Sequence, residues 1–181
     1  MLKKELVEDE LVEIPNYWPG NCFGCSPKNQ YGLQLKVYLS DEGCFSLTTV
    51  SENYVGFEGI VHGGIIATLL DEIAAWTLIV HIQKLCMTQE AKIRYYRPVR
   101  INTPIVIEGK IIEVGECDVK TMAYIKDMDG NILTECESYW KIPDLKTLAK
   151  LTGKNDAQIE ELYDSFIKPV ELFKKERIKS D

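Results

Sequence analysis

The stretch His62-Gly63-Gly64-Ile65-Ile66-Ala67-Thr68-Leu69-Leu70-Asp71-Glu72 opens a segment that runs to His81 with no proline and no glycine after the first pair. Nearly every side of the helix it would form is apolar, so the helix predicted over residues 62–81 is a buried, central one. Thr68, Asp71, Glu72 and Thr77 interrupt the apolar run, too many polar groups at too short a length for a membrane span. Four strand-like runs follow, over residues 88–96, 105–113, 118–126 and 132–140, separated by the stretch from Pro98 to Pro104, by Gly115 and by Asp129-Gly130. Ahead of the helix, Leu33, Leu35, Val37 and Leu39 alternate with Gln34, Lys36 and Tyr38, the period of a half-buried strand over residues 32–39. Ser40-Asp41-Glu42-Gly43 then turns the chain into a second run over residues 45–50, and residues 51–58 read as a polar loop. Two strands, one buried helix and four strands predict an α+β fold, an antiparallel sheet curved around the central helix.

The chain has 181 residues and 45% hydrophobic content, which suits one compact core. A chain of that size buries roughly 70% of its unfolded surface without help from disulfides or metals. Residues 1–19 read as an N-terminal segment, 20–142 as the main domain and 143–181 as a charged helical extension. In the extension Ile159, Leu162, Tyr163, Phe166 and Ile167 follow helical spacing, with Asn155 as cap and Pro169 as terminator before a further helix over 170–178. A net charge of −7 argues against nucleic acid and anionic membranes as partners. The stretch from Met1 to Glu13 mixes Lys3 and Lys4 with Glu5, Glu8, Asp9, Glu10 and Glu13 and lacks the apolar block of a signal peptide, so a cytoplasmic location is expected. Cys22-Phe23-Gly24-Cys25 has the spacing of half a zinc site, but no second half is visible. A tight turn and ordinary thiols are therefore expected there, with no metal.

The chemistry concentrates at the start of the central helix. Gly63 and Gly64 let a ligand approach the backbone, and the first-turn N–H groups, unpaired within the helix, present the positive end of its dipole. A carbonyl oxygen gaining negative charge would be stabilised there. Gly64, Thr68, Asp71 and Ala75 form one small-or-polar stripe along the helix, which places the Asp71 carboxylate on the face of that donor site, as general base or nucleophile. Trp76 reads as core and His81 as the helix end.

These residues, with Asn21-Cys22-Phe23-Gly24-Cys25, Gly32-Leu33 and Ile93-Arg94-Tyr95-Tyr96-Arg97-Pro98, resemble the hot-dog-fold acyl-CoA thioesterases of the phenylacetic-acid-degradation type (PaaI-like, 4HBT), over roughly residues 20–142. The resemblance implies hydrolysis of a thioester to free acid and coenzyme A, with no cofactor beyond the coenzyme A of the substrate. Acyl carrier protein is the alternative carrier, which the sequence does not distinguish from coenzyme A. It implies Asp71 as the catalytic acid, Gly63 as backbone donor to the carbonyl and Thr88 as a hydroxyl from the strand after the helix. His62 is a candidate catalytic residue, expected to hold the loop by a backbone hydrogen bond, with proton transfer as the alternative role. Glu72 stands beside Asp71 and leaves the register open by one residue. Asp71 is favoured because it shares the face of Gly64 and Thr68, whereas Glu72 is rotated a further 100°. Asn53 corresponds loosely to an upstream asparagine of the family. Arg94, Arg97 and Arg100 are candidates for a basic rim that binds the phosphates of coenzyme A. Subunits of this family share their sites, which implies a homodimer or homotetramer. A non-catalytic acyl-CoA sensor and a hydratase or dehydratase on the same fold are the alternatives.

Overall fold

A computed structural model describes residues 11–178, so the charged stretch of residues 1–10 lies outside the described residues. The elements run β1 (Tyr38–Leu39), β2 (Gly43–Thr49), a 3-10 turn (Glu52–Tyr54), β3 (Val55–Phe57), β4 (Ile60–Val61), α1 (Gly63–Ile82), β5 (Met87–Tyr95), β6 (Pro104–Val114), β7 (Asp118–Lys126) and β8 (Ile132–Lys141). α2 (Leu145–Thr152), α3 (Asp156–Leu162), a π-helical turn (Tyr163–Ile167) and α4 (Lys168–Ile178) complete the chain. The main sheet is antiparallel, in the order β1-β2-β6-β7-β8-β5, and α1 packs across β2, β6, β7 and β8. This is the hot-dog arrangement that the sequence predicts.

Burial explains the packing. Leu70, Ile73 and Ala74 of α1 have no exposed surface, and they meet Ile107 and Ile125 from the inward face of the sheet. The helix approaches closely at Gly109, where a Cβ would fall 2.7 Å from Thr77 Oγ1 and 2.9 Å from the Ile73 carbonyl oxygen. Glycine is needed there to let the backbone through. By length and composition α1 could cross a membrane. Its buried apolar face is instead consumed by the sheet. At its far end the His81 Nε2–H donates to the Gly43 carbonyl at 3.1 Å, and His81 Nδ1 lies 3.0 Å from Lys174 Nζ. Those contacts suit a neutral imidazole that accepts from the ammonium.

Four expectations need correction. The strand expected over residues 32–39 shrinks to Tyr38–Leu39, because Gln34 takes a left-handed φ of 49°. Upstream of it the backbone pairs with the opening turn instead, Leu33 N–H to the Phe23 carbonyl and Leu35 N–H to the Gly24 carbonyl. The loop expected over 51–58 contains the 3-10 turn and β3, which pairs with β4 just beyond it in a small hairpin. α2, capped by the Asp144 side chain on the Thr147 N–H, was not anticipated. Pro169 does not end a helix. The π-helical turn before it sends the Lys168 N–H back to the Tyr163 carbonyl, and Pro169 falls in the first turn of α4, where a missing N–H is tolerated. Asn155 caps α3 through a reciprocal capping box with Gln158.

The extension joins the main core. Phe166, 1% exposed, sets its ring edge-on between Trp18 at 5.1 Å and Trp76 at 5.7 Å.

Candidate active site

Thr88 Oγ1 donates to Asp71 Oδ1 at 2.7 Å. The bond exists because of a bulge. The inward positions of β8, namely Thr134, Cys136, Ser138 and Trp140, stand opposite Tyr95, Ile93, Ala91 and Thr88 of β5, and Gln89 is the extra residue where the register shifts. Without it Thr88 would share the outward face of Glu90, Lys92 and Arg94. Burial pushes the Asp71 carboxyl above its usual range, and the Thr88 bond partly opposes that rise. Thr68 Oγ1 donates to the Gly64 carbonyl at 3.0 Å, so the polar stripe of α1 is occupied as its spacing predicts.

At the helix start His62 is the N-cap. Its Nδ1 accepts from the Gly64 N–H at 2.9 Å, and its own N–H donates to the Tyr54 carbonyl. His62 therefore fastens the loop. The Gly63 carbonyl accepts from Tyr95 Oη at 3.1 Å, and no acceptor for the Gly63 N–H is found among the described residues. Gly63 and Gly64 are exposed. A backbone donor at a helix N-terminus, open to the surface and with no internal partner, can receive a polarised oxygen. Tyr95 was missed as a site residue. The alternation of β5 could have found it, since Arg94 faces outward and its neighbour must face in.

The remaining candidates separate. Asn53 is exposed in the 3-10 turn and reaches the site only through its neighbour, Tyr54, whose carbonyl holds the His62 N–H. Arg94 bonds Glu135 at 2.7 Å on the outward face of β5, away from Gly63 and Asp71. Arg100 is exposed, and its guanidinium lies near Gly59 in the β3-β4 hairpin. A hydrogen bond from the Asn131 side chain holds the Asp127 carboxyl below its usual range, and the exposed Arg97 nearby adds a smaller pull in the same direction.

Glu72 belongs to a different neighbourhood. Trp76 Nε1 donates to its Oε1 at 3.1 Å, and Cys22 Sγ lies 3.4 Å from its Oε2. Gly24 passes so close that a Cβ there would collide with the Glu72 side chain. Burial pushes the Glu72 carboxyl up to about 7. A hydrogen bond with Cys25 draws the Cys22 thiol down and pushes Cys25 up. Glu72 therefore points to the opening turn and Asp71 to β5.

Helix, sheet order and carboxylate together describe a thioesterase-type hot dog, and comparison with known proteins agrees. A model of the thioesterase superfamily matches residues 58–121, which contain the helix start and Asp71. The chain is 31% identical over 102 residues to a candidate esterase of Saccharolobus solfataricus, a match covering 55% of this chain and 71% of that protein. The chain belongs to the thioesterase superfamily. Its fold is similar to the crystal structure of a thioesterase superfamily protein, RHA08564, with a TM-score of 0.63 and 24% identity over 78% of this chain and 73% of that one. It is also similar to a hypothetical thioesterase of Streptococcus pneumoniae TIGR4 solved with coenzyme A, with a TM-score of 0.53 and 19% identity over 56% of this chain and 82% of that one.

Proposed function

We propose that the protein hydrolyses acyl-coenzyme A thioesters, with Asp71 promoting attack and the Gly63 N–H receiving the oxygen that becomes negative. The observation that carries this reading is the Asp71 carboxylate, half-buried and held by Thr88 on the same helix whose first N–H finds no acceptor among the described residues. Family membership supports the reaction class, and the streptococcal relative solved with coenzyme A supports the carrier.

Attack on the thioester carbon moves negative charge onto the carbonyl oxygen. A donor fixed before the reaction stabilises that charge more than it stabilises the ground state. Asp71 can accept the proton of an attacking water, or attack directly and form an anhydride that water then cleaves. The coenzyme A thiolate leaves in either case.

Gly63 and Asp71 are eight residues apart on one helix, which separates them by about 12 Å along its axis. One carbonyl group cannot touch both. The site is therefore completed by a second copy, with Gly63 of one subunit meeting Asp71 of the other. β5 is exposed along nearly its whole length at the edge of the sheet, a surface suited to covering by a partner. Incubation with a panel of acyl-coenzyme A esters and detection of the released thiol tests the proposal. Turnover of at least one ester, abolished by Asp71→Asn, is expected. Binding without turnover across the panel would reduce the protein to a sensor.

A further inference from the structure

Across α1 from Asp71, the opening turn and Glu72 build a second cluster that thioester hydrolysis does not use. Cys22 Sγ, Cys25 Sγ and a Glu72 carboxylate oxygen all lie within 4.8 Å of one another. The sequence shows only the two cysteines, and Glu72 arrives from fifty residues away through the fold. We propose that Cys22, Cys25 and Glu72 bind a thiophilic divalent cation, Zn²⁺ foremost, with a fourth coordination position facing an adjoining apolar pocket.

The donor set and its spacing fit. Two sulfurs and a carboxylate suit zinc, and Zn–S near 2.3 Å with Zn–O near 2.0–2.2 Å sets a tetrahedral S···O edge of roughly 3.5 Å. Cys22 Sγ and Glu72 Oε2 stand 3.4 Å apart. The donors are also held from outside. Trp76 Nε1 fixes Glu72 Oε1 and leaves Oε2 toward the sulfurs, and the Gly24 N–H donates to Cys22 Sγ at 3.3 Å. Such outer contacts orient ligands before an ion arrives.

The pocket supplies the open position. A cavity of about 370 Å³ is bounded by all three donor residues together with Trp18, Trp76, Ile79, Leu85 and Phe166. Three protein ligands beside an accessible cavity leave room for a water or an electron-rich atom of a small apolar ligand as the fourth. Binding displaces the thiol protons to solvent as the two sulfurs become thiolates.

The test uses the full chain, stripped of metal, reduced, with its six thiols counted as free, and titrated with Co²⁺ alone. One Co²⁺ per chain is expected, with thiolate-to-cobalt charge-transfer absorption, proton release and displacement by Zn²⁺. Cys22→Ser and Cys25→Ser should each remove about half of that absorption, since each takes one of two sulfur ligands. Glu72→Gln should keep the absorption but weaken binding about tenfold or more, the cost of disturbing a metal's ligand environment. Cys117→Ser, at an exposed cysteine outside the cluster, should change nothing. No charge-transfer absorption in the reduced, folded wild type would overturn the proposal. So would a Co²⁺ affinity unchanged by Glu72→Gln, a variant that decides the matter even if the cysteine variants fail to fold.

Discussion

Thr88 Oγ1 and Asp71 Oδ1, 2.7 Å apart, join the edge strand β5 to the central helix at the carboxylate on which the proposed hydrolysis depends. Asp71→Asn keeps the shape of the side chain and removes its basicity. Turnover should fall by about 10²–10⁴, the range for a positioned acid-base group. The loss should exceed that of Glu72→Gln, with melting temperatures confirming that both variants fold.

The same bond sets a pH dependence. Burial raises the Asp71 carboxyl, and the Thr88 hydroxyl favours the charged form. Thr88→Val should therefore raise the carboxyl further, so that the basic form is lost at a higher pH. The acid limb of the kcat/KM profile should move toward alkaline pH, with activity recovering above it. A limb that stays in place would detach Thr88 from the chemistry.

How much of this was legible beforehand follows from the physics of each element. α1 and the strands β5 to β8 are long enough for their periodicity to outweigh local noise. β3 and β4 are only three and two residues long, β3 is fully exposed, and no alternation can declare them. The misplaced Pro169 rested on a rule that holds for continuous α-helix, and a π-helical turn supplied the exception. In the site, Asp71 and the glycines were visible because they share one helix. The outward turn of Arg94 depends on the parity of β5, and the inward turn of Thr88 depends on one bulged residue, Gln89, in that strand. The pairing of Cys22 with Glu72 spans fifty residues and could be seen only once folded.

A second pH effect belongs to stability. Burial lowers the His81 imidazole below its ordinary 6.5, so the native state resists a proton that the unfolded chain accepts. Its contribution is complete above 6.5 and declines as pH falls from there toward the lowered native value. Protonation would also put a second N–H against Lys174 Nζ. His81→Gln keeps a donor for the Gly43 carbonyl and should flatten this part of the acid decline. Denaturant midpoints at neutral and mildly acidic pH measure it.

Removing charge at Arg97 and Arg100 should raise KM for coenzyme A esters more than it lowers turnover, because such contacts lie away from bond breaking. The increase should shrink at high salt. Arg94→Ala should do less, since its guanidinium is engaged by Glu135 on the other face. Equal KM values for the parent and the Arg97/Arg100 variant at low ionic strength would remove the rim.

The proposed sharing of sites between subunits has a quantitative consequence. Gly63→Pro deletes the proposed donor with little strain, because the N1 position tolerates proline and His62 already has a ψ of 135°. Refolding equal amounts of Gly63→Pro and Asp71→Asn chains together gives mixed dimers with one intact and one doubly damaged site. Random pairing should restore about a quarter of wild-type activity. No recovery on mixing would return both residues to a single-chain pocket.

Phe166 wedges between Trp18, near one end of the described chain, and Trp76 of the central helix. The segment around Trp18 and the extension around Phe166 thus meet through one phenyl ring, and neither can lift without loosening the other. Hydrogen exchange should register them as a single opening unit rather than as two independently fraying tails. A shortened chain ending before residue 155 would then unmoor the turn that carries Cys22 and Cys25, although that turn lies more than a hundred residues upstream in sequence.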